Sequence, residues 1–168
     1  MPDTRFAVDT NFLMDLAQPK DVAHDALEVI RRRLHGVQIL CVPRVIKEIV
    51  HKAQNDPSPK KRALAHEAML NMVRAWGVFP VELDDVKNDI ARSVADKLRV
   101  QGIILWEERN DALILAEAAV LGCHLLISSD EHLRGADPAQ LARVLWECDV
   151  SEVVVRTPVE IVRDFGGR

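Results

Sequence analysis

Short apolar runs that lack polar alternation constrain this chain more than any other feature of its sequence. A strand that is buried on both faces is a continuous apolar run, whereas a strand with one wet face alternates. Segments with helical patterns separate the runs, and this order is typical of a parallel sheet covered on both sides. The sequence therefore predicts an α/β fold, a three-layer α/β/α arrangement with a mostly parallel central sheet of about five strands. The predicted strands cover residues 5–9, 37–42, 78–83, 123–128 and 152–156.

Helix signals occupy the segments between these strands. Pro43 suits a first helical turn, and Gly36 and Gly77 suit helix ends. The prolines of "QNDPSPKKR" indicate a loop between two helices. Pro80 cannot donate a backbone hydrogen bond, so the third strand is predicted at an edge of the sheet or in an irregular position. The predicted helices cover residues 11–16, 21–36, 60–76, 84–100, 110–121 and 138–148, with one more from Pro43 and another from Pro158.

Length and composition set the broad class of the protein. The chain has 168 residues, of which 48% are hydrophobic, and this is enough to bury a core in a single domain covering residues 1–168. No segment reaches membrane-spanning length, so we expect a soluble cytoplasmic protein. Cys41, Cys123 and Cys148 form neither a disulfide framework nor a CxxC metal pattern. With a formal net charge of −4, the basic runs at 31–33 and 60–62 are most simply explained as solvated helix faces.

Acidic residues follow two of the predicted strands. Asp9 ends the first strand, and Asp130 follows the fourth in "LLISSD". In folds of this class, ligands bind outside the carboxyl ends of the strands, near the switch in strand order. The two carboxylates are therefore predicted to meet in space, although they are far apart in the sequence.

Two further acids lie on predicted helices. Asp111 shares a helical stripe with Ile114 and Leu115 and is predicted to face the sheet, where a charge is costly unless it is compensated. Glu48 lies at the margin of the stripe formed by Val45 and Ile49. A side chain at that margin can reach past the core into a cleft.

Each of the four acids also has a simpler explanation. Asp9 can cap the helix that follows it, and Asp111 can be an acid favoured by the dipole of a first helical turn. Asp130 can start a turn, and Glu48 can be an ordinary surface glutamate. These explanations would all have to hold together, whereas carboxylates that converge in one cleft need a cation between them. Carboxylates without His or Cys partners suit Mg²⁺ or Mn²⁺, which favours phosphodiester hydrolysis as the chemistry.

Four stretches of the sequence resemble the PIN domain family. They are "AVDTNFLMDL", "VPRVIKEI", "NDALILAEAAVLG" and "LLISSDEHL", and they occur in the family's order. The family's fold is that of many metal-dependent ribonucleases, including VapC-type toxins, and the resemblance spans most of the chain. It implies one or two Mg²⁺ or Mn²⁺ ions, bound by acids that activate water to hydrolyse RNA.

The resemblance assigns roles to individual positions. Asn11 matches the small polar companion of the first acid in the family. Ser128 falls where members commonly have a Thr or Ser hydroxyl that orients a carboxylate or water. The implied catalytic residues and metal ligands are the four acids, Asp9, Glu48, Asp111 and Asp130.

One position departs from the family's pattern. Many members have a further acid or Asn two residues beyond the last aspartate, where this chain has His132. The number of metal ions is therefore open. His132 is either a contact for phosphate or metal-bound water, or a solvent-exposed turn histidine.

The main hypothesis is a Mg²⁺- or Mn²⁺-dependent endoribonuclease that acts on single-stranded or structured RNA. If the protein is the toxin of a toxin–antitoxin pair, its partner is an antitoxin that covers the acidic cleft. Dimerisation is common in the family, so the resemblance also implies a homodimer. The basic side chains expected to steer the RNA backbone are Lys60, Lys61, Arg62 and Arg109.

Two other functions are considered. A non-catalytic PIN-fold domain that binds RNA or a protein is motivated by His132, although such a scaffold has no need of clustered charge. A response-regulator receiver also collects acids at strand ends. It requires a Lys after the last strand, however, where this chain has Arg156 and Thr157.

Overall fold

A computed structural model describes residues 4–167, so residues 1–3 and 168 of the predicted domain lie outside the described residues. The strands are β1 (Thr4–Val8), β2 (Val37–Cys41), β3 (Val78–Pro80), β4 (Leu125–Ile127) and β5 (Val154–Arg156). The helices are α1 (Thr10–Ala17), α2 (Asp21–Arg33), α3 (Pro43–Asn55), α4 (Pro59–Asn71), α5 (Asp85–Val100), α6 (Arg109–Val120), α7 (Glu131–Arg134), α8 (Pro138–Glu147) and α9 (Pro158–Phe165).

The strands form one sheet in the order β3-β2-β1-β4-β5, and every neighbouring pair is parallel. The chain runs outward from β1 to β3 and then crosses to the other side of β1. Because crossovers are right-handed, the connecting helices of the two directions cover opposite faces of the sheet. Successive residues of the central strands are accordingly 0% exposed, as in Ala7, Val8, Leu126 and Ile127. The predicted α/β fold with a parallel sheet of five strands is confirmed.

Some predicted boundaries are wrong by several residues. β3 is the edge strand that Pro80 predicts, but it ends at that residue. α2 ends at Arg33 rather than near Gly36, and α4 ends at Asn71 rather than at Trp76. Gly36 has a φ of +74° and forms the turn into β2, a conformation that glycine adopts without strain.

The segment "QNDPSPKKR" is largely helical and not the predicted loop. α3 continues to Asn55, and α4 already begins at Pro59. Proline suits the first helical position because its missing N–H has no partner there in any case. Ser58 caps α4, since its Oγ accepts the N–H of Lys61 at 3.3 Å. The loop between the two helices is therefore short.

Several helices begin at the carboxyl edge of the sheet. α1 starts directly after β1, α3 shortly after β2 and α7 shortly after β4. Their N-termini lie beside the switch in strand order at β1, which is where ligands bind in folds of this class. Across the described part of the chain, no helix is long and apolar enough to cross a membrane.

Candidate metal centre

Asp9 lies at the tip of β1 and is only 4% exposed. Its backbone N–H extends the sheet by donating to the Ile127 carbonyl oxygen at 3.0 Å. Its side chain caps α1, because Oδ1 accepts the Thr10 N–H at 2.7 Å. The Ser128 hydroxyl donates to Oδ2 at 2.6 Å. Asp9 is thus a helix cap and a residue of the candidate site at once, so the two explanations of this acid do not exclude each other.

Glu48 reaches the same region from α3. Val45 and Ile49 are 0% exposed, so the apolar stripe of α3 packs inward and Glu48 stands beside it, partly buried. The Thr10 hydroxyl donates a hydrogen bond to Glu48 Oε2. Thr10 therefore connects the cap of α1 to the acid of α3.

Asp111 lies in the first turn of α6. The residues that follow it, 112–119, are all buried, so α6 is enclosed on every side rather than along one stripe. Oδ2 of Asp111 is buried without a hydrogen-bond partner among the described residues. Burial, together with the negative charges of Asp130 and Asp9, raises the pKa of Asp111 to about 8. Without a cation this carboxyl group is mostly protonated at neutral pH.

Asp130 caps the short helix α7. Its Oδ1 accepts the His132 N–H at 2.8 Å, and its own backbone N–H donates to Ser128 Oγ at 3.0 Å. Ser128 is fully buried and donates its hydroxyl proton to Asp9. One serine therefore connects the acids that follow β1 and β4.

The four acids open onto one cleft of about 360 Å³, which is large compared with the roughly 30 Å³ that a water molecule occupies. Burial raises the pKa of Asp9 to about 6, and the charges of Glu48 and Asp130 add to the effect. The neighbouring carboxylates thus make Asp9 and Asp111 harder to ionise. The cleft is also lined by Thr10, Asn11, Lys52 and Lys61.

The donor atoms of this cleft fit a hard divalent cation. They are oxygens, and two of them, Asp111 Oδ2 and Asn11 Oδ1, are buried with no hydrogen-bond partner in residues 4–167. A cation between the carboxylates would coordinate both oxygens and favour the ionised form of Asp111. No three His, Cys, Asp or Glu side chains of these residues form a ready-made metal cage. Mg²⁺ sites do not require one, because Mg²⁺ keeps several waters and uses one or two carboxylates.

A family comparison decides how this fold and site relate to known proteins. The family model of the PIN domain matches residues 6–137, a range that includes all four acids. The chain belongs to the PIN domain family. Members of this family are generally nucleases that use divalent metal ions. The family match therefore displaces the response-regulator alternative.

Solved structures with the PIN domain's fold include two bacterial examples. A chain from the crystal structure of VapBC2 from Rickettsia felis, bound to a DNA fragment from its promoter, aligns with a TM-score of 0.63 and 14% identity over 92% of this chain and 98% of that chain. A chain from FitAcB of Neisseria gonorrhoeae aligns with a TM-score of 0.55 and 15% identity, with the same coverage of 92% and 98%. No curated protein matches the sequence of this chain significantly. At such identities the likeness shows the fold alone.

In this PIN domain His132 lies beside the cleft rather than in its lining. Its Nε2 is 3.3 Å from Glu108 Oε1, and its side chain is 46% exposed. Only its backbone N–H contacts a candidate ligand, by donating to Asp130. The ring therefore contacts Glu108 at the surface and does not line the cleft.

The basic residues expected to steer RNA are not all at the cleft. Lys61 lines it, whereas Lys60, Arg62 and Arg109 do not. Arg62 instead stabilises the α3–α4 loop, because its Nη1 donates to the Asp56 carbonyl oxygen at 2.6 Å. Of the three consecutive basic residues 60–62, only Lys61 therefore lines the cleft.

Five residues that line the cleft were not predicted from the sequence: Thr10, Met14, Asp15, Gln18 and Lys52. Thr10 directly follows Asp9, and Lys52 lies one helical turn after Glu48, with its Nζ 3.7 Å from Asp56 Oδ2. Residues at i and i+4 on a helix share one face. The spacing from Glu48 is therefore the signal from which Lys52 could have been identified, whereas no helical spacing indicates Thr10.

Glu117 is a buried acid outside the cleft lining that the sequence analysis also missed. It is 5% exposed in the middle of α6, and both of its carboxylate oxygens accept the backbone N–H of Arg44 at 3.2 Å. Because Val42 precedes α3 and offers no side-chain cap, Glu117 supplies one from another helix. Burial raises the pKa of Glu117, while the Arg44 N–H opposes that shift. The sequence signal is a lone charge within the alanine-rich stretch "LAEAAV".

Proposed function

We propose that this PIN domain is a Mg²⁺- or Mn²⁺-dependent endoribonuclease that hydrolyses phosphodiester bonds in single-stranded or structured RNA. The observation that carries the proposal is the buried, unpaired Oδ2 of Asp111 in a cleft shared with the three other acids. A protein that bound no cation would gain stability from an uncharged residue at this position. The geometry therefore favours a site that depends on a ligand.

The proposed ligands of one or two ions are Asp9, Glu48, Asp111 and Asp130. A bound divalent ion stabilises charge on the phosphate under attack and lowers the pKa of the attacking water. The chain's own contribution is orientation: Ser128 holds Asp9, and the Thr10 hydroxyl holds Glu48. Asn11 Oδ1 adds a neutral oxygen that lacks a protein partner in the described residues. Lys61, which lines the same cleft, attracts the RNA backbone.

A role as the toxin of a toxin–antitoxin pair is a second part of this proposal. Its support is the fold shared with a chain of VapBC2 and the resemblance to VapC-type toxins. The partner would be an antitoxin that covers the acidic cleft, and the toxin would act as a cytoplasmic homodimer. A short neighbouring reading frame with a DNA-binding pattern, whose product co-purifies with this chain, is the expected finding. A free-standing gene whose product has no such companion would count against the toxin role.

The ribonuclease proposal is tested by incubating a mixed pool of single-stranded RNA with the wild-type protein and with Asp9→Asn, in Mg²⁺, Mn²⁺ or EDTA. We expect cleavage by the wild type only when metal is present, and no cleavage by Asp9→Asn. Asp84→Asn is the matched control. Both substitutions change an aspartate that caps a helix, since Asp84 Oδ1 accepts the Lys87 N–H at 2.8 Å. Asp84, however, does not line the cleft.

The outcomes separate the proposal from its alternative. Cleavage by folded Asp9→Asn at the wild-type rate would contradict the assignment of the acids. Metal binding by the wild type without cleavage of any RNA would favour a non-catalytic PIN domain that binds RNA or a protein. Thermal unfolding of each variant shows whether a loss of activity reflects a loss of structure.

A further inference from the structure

Trp106 is an exposed aromatic side chain that the fold nevertheless holds in place. It is 60% exposed and lies in the segment 101–108, which joins α5 to α6. The Arg99 guanidinium lies over its ring at 4.2 Å from the ring centroid, and Arg99 Nε donates to the Trp106 carbonyl oxygen at 2.7 Å. One side chain thus fixes both the ring and the main chain. A ligand that stacks on the ring would therefore cost little additional ordering.

The other tryptophans lack this combination. Trp76 is 7% exposed and belongs to the core. Trp146 is 81% exposed on α8, but within residues 4–167 only Trp106 carries a stacked cation. Trp106 is therefore both accessible and preorganised, and Trp146 offers a matched exposed control.

Trp106 is tied to the acids of the cleft through both the chain and a side-chain contact. Asp111 follows it by five positions, and five residues span at most about 18 Å. The segment ends at Glu108, whose Oε1 is 3.3 Å from the Nε2 of His132 on α7. α7 is the helix that Asp130 caps. Trp106 therefore lies within about 18 Å of Asp111, a distance that a few nucleotides of RNA can span.

A cation stands in the same part of the surface. Arg109 opens α6, is exposed and has no ion pair among the described residues. Glu107 and Glu108 lie between Trp106 and Arg109 in the sequence, and Glu108 Oε1 is 3.3 Å from His132 Nε2. An aromatic face beside a free guanidinium is the combination that binds single-stranded nucleic acid, through base stacking and backbone attraction.

We propose that Trp106, clamped by Arg99, stacks on a base of single-stranded RNA whose backbone Arg109 contacts. This inference rests on the ribonuclease function proposed above and gives it a binding site outside the acidic cleft. A protein partner is the competing occupant, because the neighbouring Leu105 is 49% exposed. RNA is favoured by the free cation of Arg109 and by the short path to Asp111.

The test measures the affinity of a short fluorescent single-stranded RNA of mixed sequence, by anisotropy, in an Asp9→Asn background with Mn²⁺. Trp106→Leu should weaken binding about 5- to 100-fold, the range for loss of one base–aromatic stack. Trp106→Phe keeps an aromatic face and should keep most of the affinity, whereas Trp146→Leu should bind like the parent. With an intact Asp9, Trp106→Leu should raise KM and leave kcat near the wild-type value.

A second measurement leaves Trp106, the proposed stacking platform, unchanged. In Trp146→Phe protein, RNA should quench the fluorescence of Trp106, because Trp76 is buried. Equal RNA affinity of folded Trp106→Leu and its parent, or an absence of quenching, would overturn the platform. If Asp9→Asn still abolishes metal-dependent cleavage, the proposed function survives that failure. A wild-type protein that neither binds nor cleaves RNA would overturn both proposals. A protein partner whose binding Trp106→Leu weakens while RNA affinity stays unchanged would overturn the choice of RNA as the occupant.

Discussion

Asp111 and Glu117 are acids of the same helix, α6, but they differ in the hydrogen bonds that their carboxylate oxygens accept. Glu117 is 5% exposed, yet both of its oxygens accept the Arg44 N–H. Asp111 is more exposed, but its Oδ2 is buried and has no hydrogen-bond partner in the part of the chain that the structure describes. Burial raises the pKa of both carboxyl groups.

The difference separates an acid that serves the fold from an acid that serves a ligand. Glu117 completes the N-terminus of α3, the helix that carries Glu48, and its hydrogen bonds offset its burial. Asp111 has no such compensation, so its ionisation costs free energy unless a cation is bound. Replacing each acid should therefore affect different properties of the protein.

The largest expected effect is that of Asp111→Asn on catalysis. We expect metal-dependent RNA cleavage to fall about 100- to 1,000-fold, because a charge that stabilises the transition state through the ion is lost. The metal-free variant should be as stable as the wild type at pH 8, or more stable. Initial rates with Mn²⁺ and thermal unfolding in EDTA measure both effects.

Asp15→Asn is the control for that substitution. Asp15 lines the same cleft but is already paired with Lys20, whose Nζ lies 3.0 Å from Asp15 Oδ1. We expect a small effect on cleavage. Equal losses in the two variants would mean that an unpaired oxygen does not distinguish Asp111, and the comparison would fail.

The second prediction concerns pH. The pKa values of Asp9, about 6, and Asp111, about 8, exceed the ordinary value of 3.8, so the folded protein binds more protons than the unfolded chain between about pH 4 and 8. The free energy of unfolding of the metal-free protein should therefore fall as pH rises through this window. Asp9 alone contributes a loss of about 3 kcal/mol. Urea denaturation in EDTA at pH 5 and pH 8 measures the slope, and Mn²⁺ at pH 8 should restore stability. A flat profile in EDTA would contradict the prediction.

Glu117→Ala should lower the stability of the protein more than it lowers RNA cleavage. We expect the free energy of unfolding to fall by roughly 1–3 kcal/mol, because the partly buried Arg44 N–H loses its acceptor. Glu117→Gln keeps one acceptor and should lose less. Asp137→Ala removes a comparable carboxylate cap, at α8, and should cost about 1 kcal/mol without affecting cleavage. A Glu117→Ala protein as stable as the wild type, or as inactive as Asp111→Asn, would break the distinction drawn between the two acids.

The smallest effect is expected at the rim of the cleft. Lys61→Ala should raise KM for RNA about two- to fivefold, because one exposed phosphate contact contributes up to about 1 kcal/mol. Lys60→Ala is the adjacent control, since Lys60 does not line the cleft. Kinetics at low salt measure both variants. A larger effect at Lys60 would show that RNA follows a path other than the one past Asp111.

Much of the fold could be predicted because its signals are local. Unbroken apolar runs predict parallel strands, and Pro80 predicts an edge strand, since backbone geometry alone excludes it from the sheet interior. The boundaries were less predictable. "QNDPSPKKR" reads as a loop by composition, yet Pro59 and Ser58 start a helix there. Proline and serine favour loops and helix starts alike, and packing of α4 on its neighbours decides between them.

The acids of the candidate site were predictable for a similar reason. Asp9 and Asp130 stand at strand ends, and parallel strands bring their carboxyl ends to one edge. Glu48 stands beside the buried apolar stripe of α3, which its periodicity indicates. Asp111 opens a helix that is buried on every side, so its position in the first turn, and not periodicity, marks it. The choice among Lys60, Lys61, Arg62 and Arg109 was not predictable, because adjacent helical residues point in different directions.

The sequence by itself predicted the parallel sheet, most of the helices and four acids that line one cleft, and these follow from local pattern and backbone geometry. The short helix α7 was not predicted. Tertiary structure decided which distant groups the acids contact. Ser128 bonds Asp9, and Glu117 bonds Arg44, across 119 and 73 positions of the chain. Such contacts depend on how distant elements pack, which no local pattern specifies. For the same reason only the folded chain distinguishes Glu117, whose oxygens are satisfied, from Asp111, whose Oδ2 is not.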